Sequence, residues 1–151
     1  MRFHKIISTS LGIGYIGKGA GTYAAIFTCI LWYFLQAGTH EPNLTPVLVT
    51  LLLTMQGVRS ANEVEVLWGK DHNRVVIDEV AGMCITLLFV PVEIKYIIAG
   101  LVLFRFFDIL KPLGIRRLEK WPGGWGVMAD DVLAGIYANI VLQIIIFFNI
   151  F

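Results

Sequence analysis

Charged residues are scarce in this chain of 151 residues, since Asp, Glu, Lys and Arg make up 15% of it, against about 25% in soluble domains. Its net charge is only +1, and no basic stripe stands apart from the apolar pattern, which argues against a nucleic-acid partner. Apolar residues reach 57%, against about 45–50% in soluble domains, and the mean hydropathy is +0.75. These values predict an integral membrane protein.

Cysteine and histidine are also rare. Cys29 and Cys84 both lie inside apolar runs, so we expect packing residues instead of a disulfide or a metal pair. The three histidines, His4, His40 and His72, are scattered. A lipid phosphatase with a histidine nucleophile needs paired histidines with basic partners on one membrane face. The sequence does not supply such a pair.

Five apolar stretches predict the membrane helices, at residues 23–37, 44–58, 75–92, 94–110 and 132–151. A helix that crosses the hydrocarbon needs about 20 residues, so several of these must borrow flanking residues, or the bilayer must thin around them. Asp78 and Glu79 interrupt the third stretch, which leaves 80–92 as its membrane part, and Pro91 precedes a hairpin to the fourth. No cleavable signal peptide is evident at the start. We predict an all-α integral membrane protein: one domain over 1–151, a short bundle of about five transmembrane or partly re-entrant helices.

The distribution of Lys and Arg predicts the orientation of these helices. If the N-terminus is cytoplasmic and all five stretches cross, every Lys and Arg except Lys95 falls on the inner side. This is the asymmetry of the positive-inside rule. The acidic residues other than Glu41 and Glu93 fall on the same side. We therefore expect a multi-pass protein with a polar site at its cytoplasmic face.

The segment GIGYIGKGAGT has the G-x4-G-K spacing that opens a Walker phosphate loop. A Walker loop needs Ser or Thr after the lysine to bind the magnesium of the nucleotide, and Gly19 stands there. We therefore predict no nucleotide. What remains is an anion-binding loop in which Lys18, Gly19 and Gly21 contact a phosphate and Thr22 caps the following helix.

Carboxylates lie at the edges of three apolar segments: the pairs Asp78-Glu79 and Asp130-Asp131, and the single Asp108. Charge at this depth costs free energy, so a partner is expected. Two pairs on neighbouring helices would converge on a hard divalent cation, and ligands that are all oxygen suit magnesium. The alternative is a set of solvated helix starts, where the helix dipole favours acidic residues.

Arg105, Asp108 and Lys111 follow one another at i, i+3 and i+6 before Pro112 ends the helix. This spacing gives Arg105 and Lys111 to a phosphate and Asp108 to a metal ion, or else forms an ion-pair ladder at the surface. Glu65 is a further candidate metal ligand or base.

Four further polar residues lie near or within the apolar stretches: Asp71, Asn139, Gln143 and Asn149. Asp71, like Glu65, is either a ligand or base or simply solvated. Asn139, Gln143 and Asn149 in the last apolar stretch are expected to form hydrogen bonds between helices instead of a transport path.

Four motifs taken in order, GIGYIGKGAGT, GKDHNRVVIDEVAGM, FRFFDILKP and GGWGVMADDVLAG, carry a family resemblance. Over nearly the whole chain the sequence resembles the phosphatidylglycerophosphatase A family of bacterial membrane enzymes. The resemblance implies magnesium-dependent hydrolysis of phosphatidylglycerophosphate to phosphatidylglycerol and inorganic phosphate, at the cytoplasmic face of the bacterial inner membrane. By motif position it implies working residues at Thr22, Asp78, Glu79, Arg105, Asp108, Lys111, Asp130 and Asp131.

Two mechanisms and two rival functions stay open at this point. Either water attacks the phosphate directly or a carboxylate first forms a phosphoenzyme. A CDP-alcohol phosphatidyltransferase also clusters aspartates at an inner helix end, but its D-x-x-D-G signature is absent. An ion transporter would place its carboxylates in the middle of its spans, whereas these carboxylates border them.

Overall fold

The computed structural model describes residues 1–37, 44–70 and 72–151, and in these ranges the chain is helical without any strand. His40, Glu41 and Asp71 lie outside the described residues. The described α-helices are α1 (Arg2–Ser8), α2 (Ala20–Gln36), α3 (Leu44–Trp68), α4 (Ile77–Leu87), α5 (Ile94–Leu110), α6 (Ile115–Leu118) and α7 (Gly123–Phe147). A 3-10 helix, Ile13–Ile16, precedes α2. The prediction of an all-α fold is confirmed for this part of the chain.

Helices α3 and α7 extend well beyond the apolar stretches that predicted them. Each has 25 residues, and α3 continues to Trp68 while α7 already begins at Gly123. Gly69, with a φ of 87°, follows the end of α3. The polar motifs before and after the apolar stretches are therefore carried by the same rigid helices that form the core.

The third apolar stretch, 75–92, does not form one helix. α4 ends at Leu87, and Phe89 then takes a positive φ of 61° before Pro91. In contrast, α5 coincides with the stretch 94–110. Among the described helices, α3 and α7 are long and apolar enough to cross a membrane by length and composition, and α2 is apolar but shorter. The five crossings stay a prediction.

The short helix α4 is the centre of the bundle, because α2, α3, α5 and α7 all pack on it, α7 most extensively. Its buried residues Met83 and Leu87 join Phe104 of α5 and Ala134 of α7 in the largest core cluster. Burial of large apolar side chains against small ones allows the helix axes to approach closely. A displacement of α4 would therefore disturb every neighbouring helix.

Two glycines set the distance between α4 and α7. A methyl group on Gly135 would collide with the carbonyl oxygen of Gly82, and one on Gly82 would lie 2.7 Å from the carbonyl oxygen of Asp131. The two backbones are thus in contact, and no larger residue fits at either position. This contact fixes the register of α7 on α4.

The segment that follows α1 crosses the start of α4. The backbone N–H of Val76 donates to the carbonyl oxygen of Ser8 at 2.8 Å, and that of Gly14 donates to Thr9 at 2.9 Å. A side chain at position 14 would have no room, because the carbonyl group of Arg74 fills the space that its Cβ would take. These contacts hold the glycine-rich loop next to the first turn of α4.

Candidate active site

Three carboxylates from α4 and α7 converge at the beginning of α4. Asp78, Glu79 and Asp131 each offer one oxygen atom, and these three atoms lie within 4.8 Å of one another. Asp78 and Asp131 are buried, with 6% and 2% of their surfaces exposed. The predicted convergence of the two acidic pairs therefore occurs through three of their four members.

The glycine contact explains why these carboxylates meet. Gly82 follows Asp78 by four positions on α4, and Gly135 follows Asp131 by four positions on α7. Residues four apart lie on the same face of a helix. Because Gly82 touches Gly135, the two aspartates one turn earlier face each other.

The three carboxylates, which we call the acidic cluster, have incomplete hydrogen bonding. Asp78 Oδ1, Glu79 Oε2 and Asp131 Oδ2 are buried and accept no hydrogen bond from the described residues. A buried polar atom without a partner costs about 1–3 kcal/mol, and more if it is charged. The donor set consists of oxygen only, which fits Mg²⁺. The cluster thus has the composition and the free ligand atoms of a divalent-cation site.

Arg105 and Asp108 form an ion pair on α5 beside the acidic cluster, as their i, i+3 spacing predicted. Asp108 is a direct neighbour of Asp131. Arg105 lies close enough to Glu79 to attract its carboxylate electrostatically. The Nε atom of Arg105 is buried and has no hydrogen-bond partner in the described chain. A guanidinium has five N–H donors, so Arg105 keeps donors for an anion in addition to its ion pair with Asp108.

Lys111 has different partners from those that its spacing to Asp108 indicated. It follows the end of α5 in a left-handed conformation with a φ of 50°, and it binds Asp130 of α7 and Glu119, the latter at 2.6 Å. Burial lowers the pKa of Lys111, but its hydrogen bonds to Asp130 and Glu119 outweigh this effect and raise the pKa above its ordinary value. Lys111 is therefore a cation that holds Asp130 on the edge of the acidic cluster.

A polar cavity of about 720 Å³ opens onto the acidic cluster. The glycine-rich loop forms one wall with Gly17, Lys18, Gly19 and Gly21, and Asp78, Glu79 and Arg105 form the inner wall. The predicted loop residues Lys18, Gly19 and Gly21 thus line the same cavity as the carboxylates of α4. An anion in this cavity would contact cationic side chains and backbone N–H groups together.

The prediction for Thr22 as a helix cap is wrong. Helix α2 begins at Ala20 after Gly19, which has a φ of 82° and provides no side-chain cap. Thr22 therefore lies inside the first turn, where its side chain is exposed. Gly21 has the closer contact with the site, because a methyl group there would lie 2.5 Å from Glu79 Oε1. The loop approaches Glu79 only because this position lacks a side chain.

Two cavity residues were not singled out from the sequence. His72 and Arg74 also line this cavity. The guanidinium of Arg74 lies 5.5 Å from the ring centroids of both Tyr15 and Trp68. These residues belong to a loop without periodicity, so only the GKDHNR motif itself could have drawn attention to them.

Glu65 is placed apart from the acidic cluster. It lies on α3 beside Gly123, at the start of α7, and it is not a member of the three-carboxylate group. The structure thus separates the predicted metal ligands into the acidic cluster, two carboxylates held by cations (Asp108 and Asp130), and the more distant Glu65.

Comparison with known proteins gives a consistent result over most of the chain. The model of the family described as phosphatidylglycerophosphatase A matches residues 6–146. A protein of Bacteroides thetaiotaomicron named "Putative phosphatidylinositol-3-phosphatase" is 44% identical over 92% of this chain and 91% of its own length. Proteins named phosphatidylglycerophosphatase A from Haemophilus influenzae and Escherichia coli are 36% and 32% identical, over 91% and 93% of this chain and 85% and 81% of their own lengths. No solved structure shows a significant match.

Proposed function

Because this chain belongs to the phosphatidylglycerophosphatase A family, we propose that it hydrolyses the phosphate monoester of phosphatidylglycerophosphate to phosphatidylglycerol and inorganic phosphate. One observation supports this most directly. A polar cavity lined by Lys18, Arg74 and Arg105 ends at carboxylates that each have one buried oxygen without a hydrogen bond from the described residues. A phosphate monoester matches both features, because its oxygens need cations and N–H donors while its hydrolysis needs a group that accepts a proton.

In the proposed reaction the bond between phosphorus and the glycerol oxygen breaks, and a new bond forms to the oxygen of water. Arg105 and backbone N–H groups of the glycine-rich loop bind the phosphate oxygens and stabilise the charge that develops on them. A carboxylate of the acidic cluster accepts a proton from the attacking water, and this proton is then passed to the leaving glycerol oxygen. Direct attack by water and a carboxylate phosphoenzyme stay alternative routes.

We propose Asp78, Glu79 and Asp131 as the residues that would hold Mg²⁺, with Asp108 and Asp130 beside them. Three buried oxygens that have no hydrogen-bond partner in the described part of the chain support this assignment. When bound, the ion would supply Lewis acidity at the phosphate. Asp108 and Asp130 already have the cations Arg105 and Lys111 as partners. We therefore assign Lys111 to positioning Asp130 and Arg105 to binding the phosphate.

We further propose a single membrane-embedded domain with several crossings of the bacterial inner membrane and with the cavity at the cytoplasmic face. Large apolar side chains on the outer faces support this placement, including Phe34 and Phe147, which are 72% and 79% exposed. Soluble proteins rarely leave such faces uncovered. The phosphate would stay in the aqueous layer while the acyl chains remain among the helices.

Phosphate release from phosphatidylglycerophosphate by the purified protein in detergent tests this proposal. We expect release with Mg²⁺ and its loss with excess EDTA, followed by recovery when Mg²⁺ is restored. Release that EDTA leaves unchanged would contradict the magnesium assignment. No release in either condition, from protein with a cooperative thermal transition, would contradict the phosphatase itself.

A second substrate belongs in the same assay, because the 44% identical relative is named for a phosphoinositide phosphatase. Phosphatidylinositol 3-phosphate also carries a phosphate monoester on a headgroup joined to diacylglycerol by a phosphodiester. A higher kcat/KM for it than for phosphatidylglycerophosphate would change the assigned substrate and leave the site chemistry unchanged.

A further inference from the structure

A second recess of about 530 Å³ lies beside the polar cavity. It runs between α2 and α3, which both pack on α4 but make at most marginal contact with each other over their described residues. Ile77 and Val80 of α4 form its floor, Leu31 and Trp32 one side and Val49 the other. None of its described lining residues is charged. We refer to this recess as the apolar groove.

The apolar groove and the polar cavity share a wall. In the segment after α1, Ser10 lines the groove while Gly14 lines the cavity. At the start of α4, Ile77 faces the groove while Asp78 faces the cavity. Residues one or four positions apart on two segments therefore divide an uncharged recess from a charged one. A ligand that fits both must be an amphiphile with phosphate at one end.

The shared wall contains a hydroxyl group without a partner. Ser10 is 9% exposed, and its Oγ is buried with no hydrogen bond to any described residue. Ser10 has a φ of 50°, a conformation that non-glycine residues adopt rarely. A donor at this position suits the ester carbonyl of a lipid, the only polar group at the start of an acyl chain.

The dimensions of the groove suit part of a hydrocarbon chain. Its lining on α2 extends from Phe27 to Gln36, roughly 14 Å along the helix axis at the rise of an α-helix. The open side is bordered by apolar side chains that are themselves exposed, including Leu35 and Val49. A chain from the bilayer could enter there without crossing a polar surface.

We propose that the apolar groove binds one acyl chain of the lipid substrate, with the Ser10 hydroxyl donating a hydrogen bond to its ester carbonyl. This proposal rests on the proposed function, since it assigns a place to the chain of the same substrate whose phosphate lies in the polar cavity. The groove then aligns the phosphate with the acidic cluster and contributes to affinity for long chains over short ones.

Val49→Phe fills the groove from α3 at a position that is 46% exposed, and Val102→Phe is the matched change on a 63% exposed position of α5 outside the groove. We expect Val49→Phe to raise the KM for long-chain substrate roughly tenfold, the effect of losing burial of about two methylene groups. For a short-chain, water-soluble analogue its kinetics should equal those of Val102→Phe. Equal KM values for the two variants on long-chain lipid would overturn the proposal, and so would an equal loss on both substrates.

A binding measurement separates this proposal from the proposed function. Trp32 lines the groove, so a protein with Trp68, Trp121 and Trp125 replaced by Phe reports on it. Long-chain phosphatidylglycerophosphate with brominated acyl chains, at low mole fraction in detergent, should strongly quench the fluorescence of Trp32. Val49→Phe should reduce this quenching, whereas Val102→Phe should leave it unchanged. This result would hold even if no phosphate were released. Equal quenching in both variants would indicate bulk lipid around the protein and overturn the groove assignment.

The role of Ser10 has its own test. Ser10→Ala should raise the KM for long-chain substrate several-fold, in line with the loss of one hydrogen bond, while kcat stays unchanged. The same variant should bind an ether-linked lipid, which lacks the ester carbonyl, as tightly as the unsubstituted protein does. A fall in kcat with unchanged KM would contradict this assignment.

Discussion

The contact between α4 and α7 has polar residues at both ends, and the two ends differ in how those residues are bonded. At the end where α4 stops, the amide groups of Asn139 and Gln143 on α7 donate to backbone carbonyls. The Asn139 amide lies 2.8–3.2 Å from the carbonyl oxygens of Ile85, Thr86 and Leu88, and that of Gln143 lies 3.2–3.3 Å from those of Leu88 and Phe89. At the end where α4 begins, the acidic cluster has buried oxygens to which no residue of ranges 1–37, 44–70 and 72–151 donates a hydrogen bond.

This difference distinguishes the residues that stabilise the packing of the helices from those of the candidate active site. The last carbonyl groups of a helix have no partner within it, so amide donors from a neighbouring helix complete α4 and need nothing further. An ionised carboxylate accepts hydrogen bonds but cannot donate them, and three ionised carboxylates that face one another repel. The carboxylate end therefore has the composition to hold a metal ion from outside the chain, while the amide end is complete in itself.

Asp131→Asn is expected to have the largest effect on turnover. The substitution keeps the shape of the side chain and removes one of the three charges. We expect phosphate release to fall on the order of 100-fold, with weaker Mg²⁺ affinity in calorimetric titration. The thermal midpoint in detergent without metal should stay the same or rise, because the repulsion from Asp78 and Glu79 decreases.

Glu63→Gln is the matched control, since Glu63 is an exposed carboxylate on α3 outside the cluster. It should leave both turnover and Mg²⁺ affinity unchanged. Full activity in Asp131→Asn would remove this residue from the site and would make the two ends of the contact equivalent.

Gly82→Ala should have the next largest effect, because it acts on the middle of the same contact. Its methyl group would lie 2.5 Å from the Phe104 ring and 2.7 Å from the carbonyl oxygen of Asp131, so α7 must move. Overpacking of this kind costs about 1–3 kcal/mol, and the shift also separates the carboxylates. We expect a lower thermal midpoint together with a several-fold loss of turnover.

Gly100→Ala tests whether any added methyl group has this result. At Gly100 the new atom would meet only ends of side chains, those of Leu87, Leu142 and Thr86, at 3.2–3.3 Å. These can adjust, so turnover should be retained. An equal loss of activity in both variants would indicate that the acidic cluster does not depend on the backbone contact.

Much of this arrangement was predictable from spacing along single helices. The Arg105–Asp108 ion pair follows from i, i+3 geometry, and the interhelical hydrogen bonds of Asn139 and Gln143 follow from the cost of a polar group in an apolar stretch. The four motifs also identified the family. Each of these inferences needs only local periodicity or one energetic rule.

The features that the sequence left undetermined depend on contacts between helices. Lys111 binds Asp130 instead of Asp108 because the chain turns left-handed directly after α5. Thr22 lies one turn too far along to cap α2, because Gly19 ends the loop earlier. The contact of Gly82 with Gly135 places Asp131 in the acidic cluster. It depends on the packing of α4 on α7, whose contacting residues lie 53 positions apart in the sequence, as Thr86 and Asn139 also do.

Asn139→Leu should have the smallest effect on turnover and a clear effect on stability. The substitution is close in shape but leaves the α4 carbonyls without their donor, which costs about 1–3 kcal/mol for buried groups. We expect a lower thermal midpoint in detergent, while the folded fraction releases phosphate within about twofold of the unsubstituted rate, a change too small to reflect a lost charge interaction in the site. Gln143→Leu should lower the midpoint less, because its contacts of 3.2 and 3.3 Å are longer and partly exposed. If Asn139→Leu instead reduced turnover as much as Asp131→Asn at equal folded fraction, the amide end would belong to the chemistry as well, and incomplete hydrogen bonding would no longer distinguish the site.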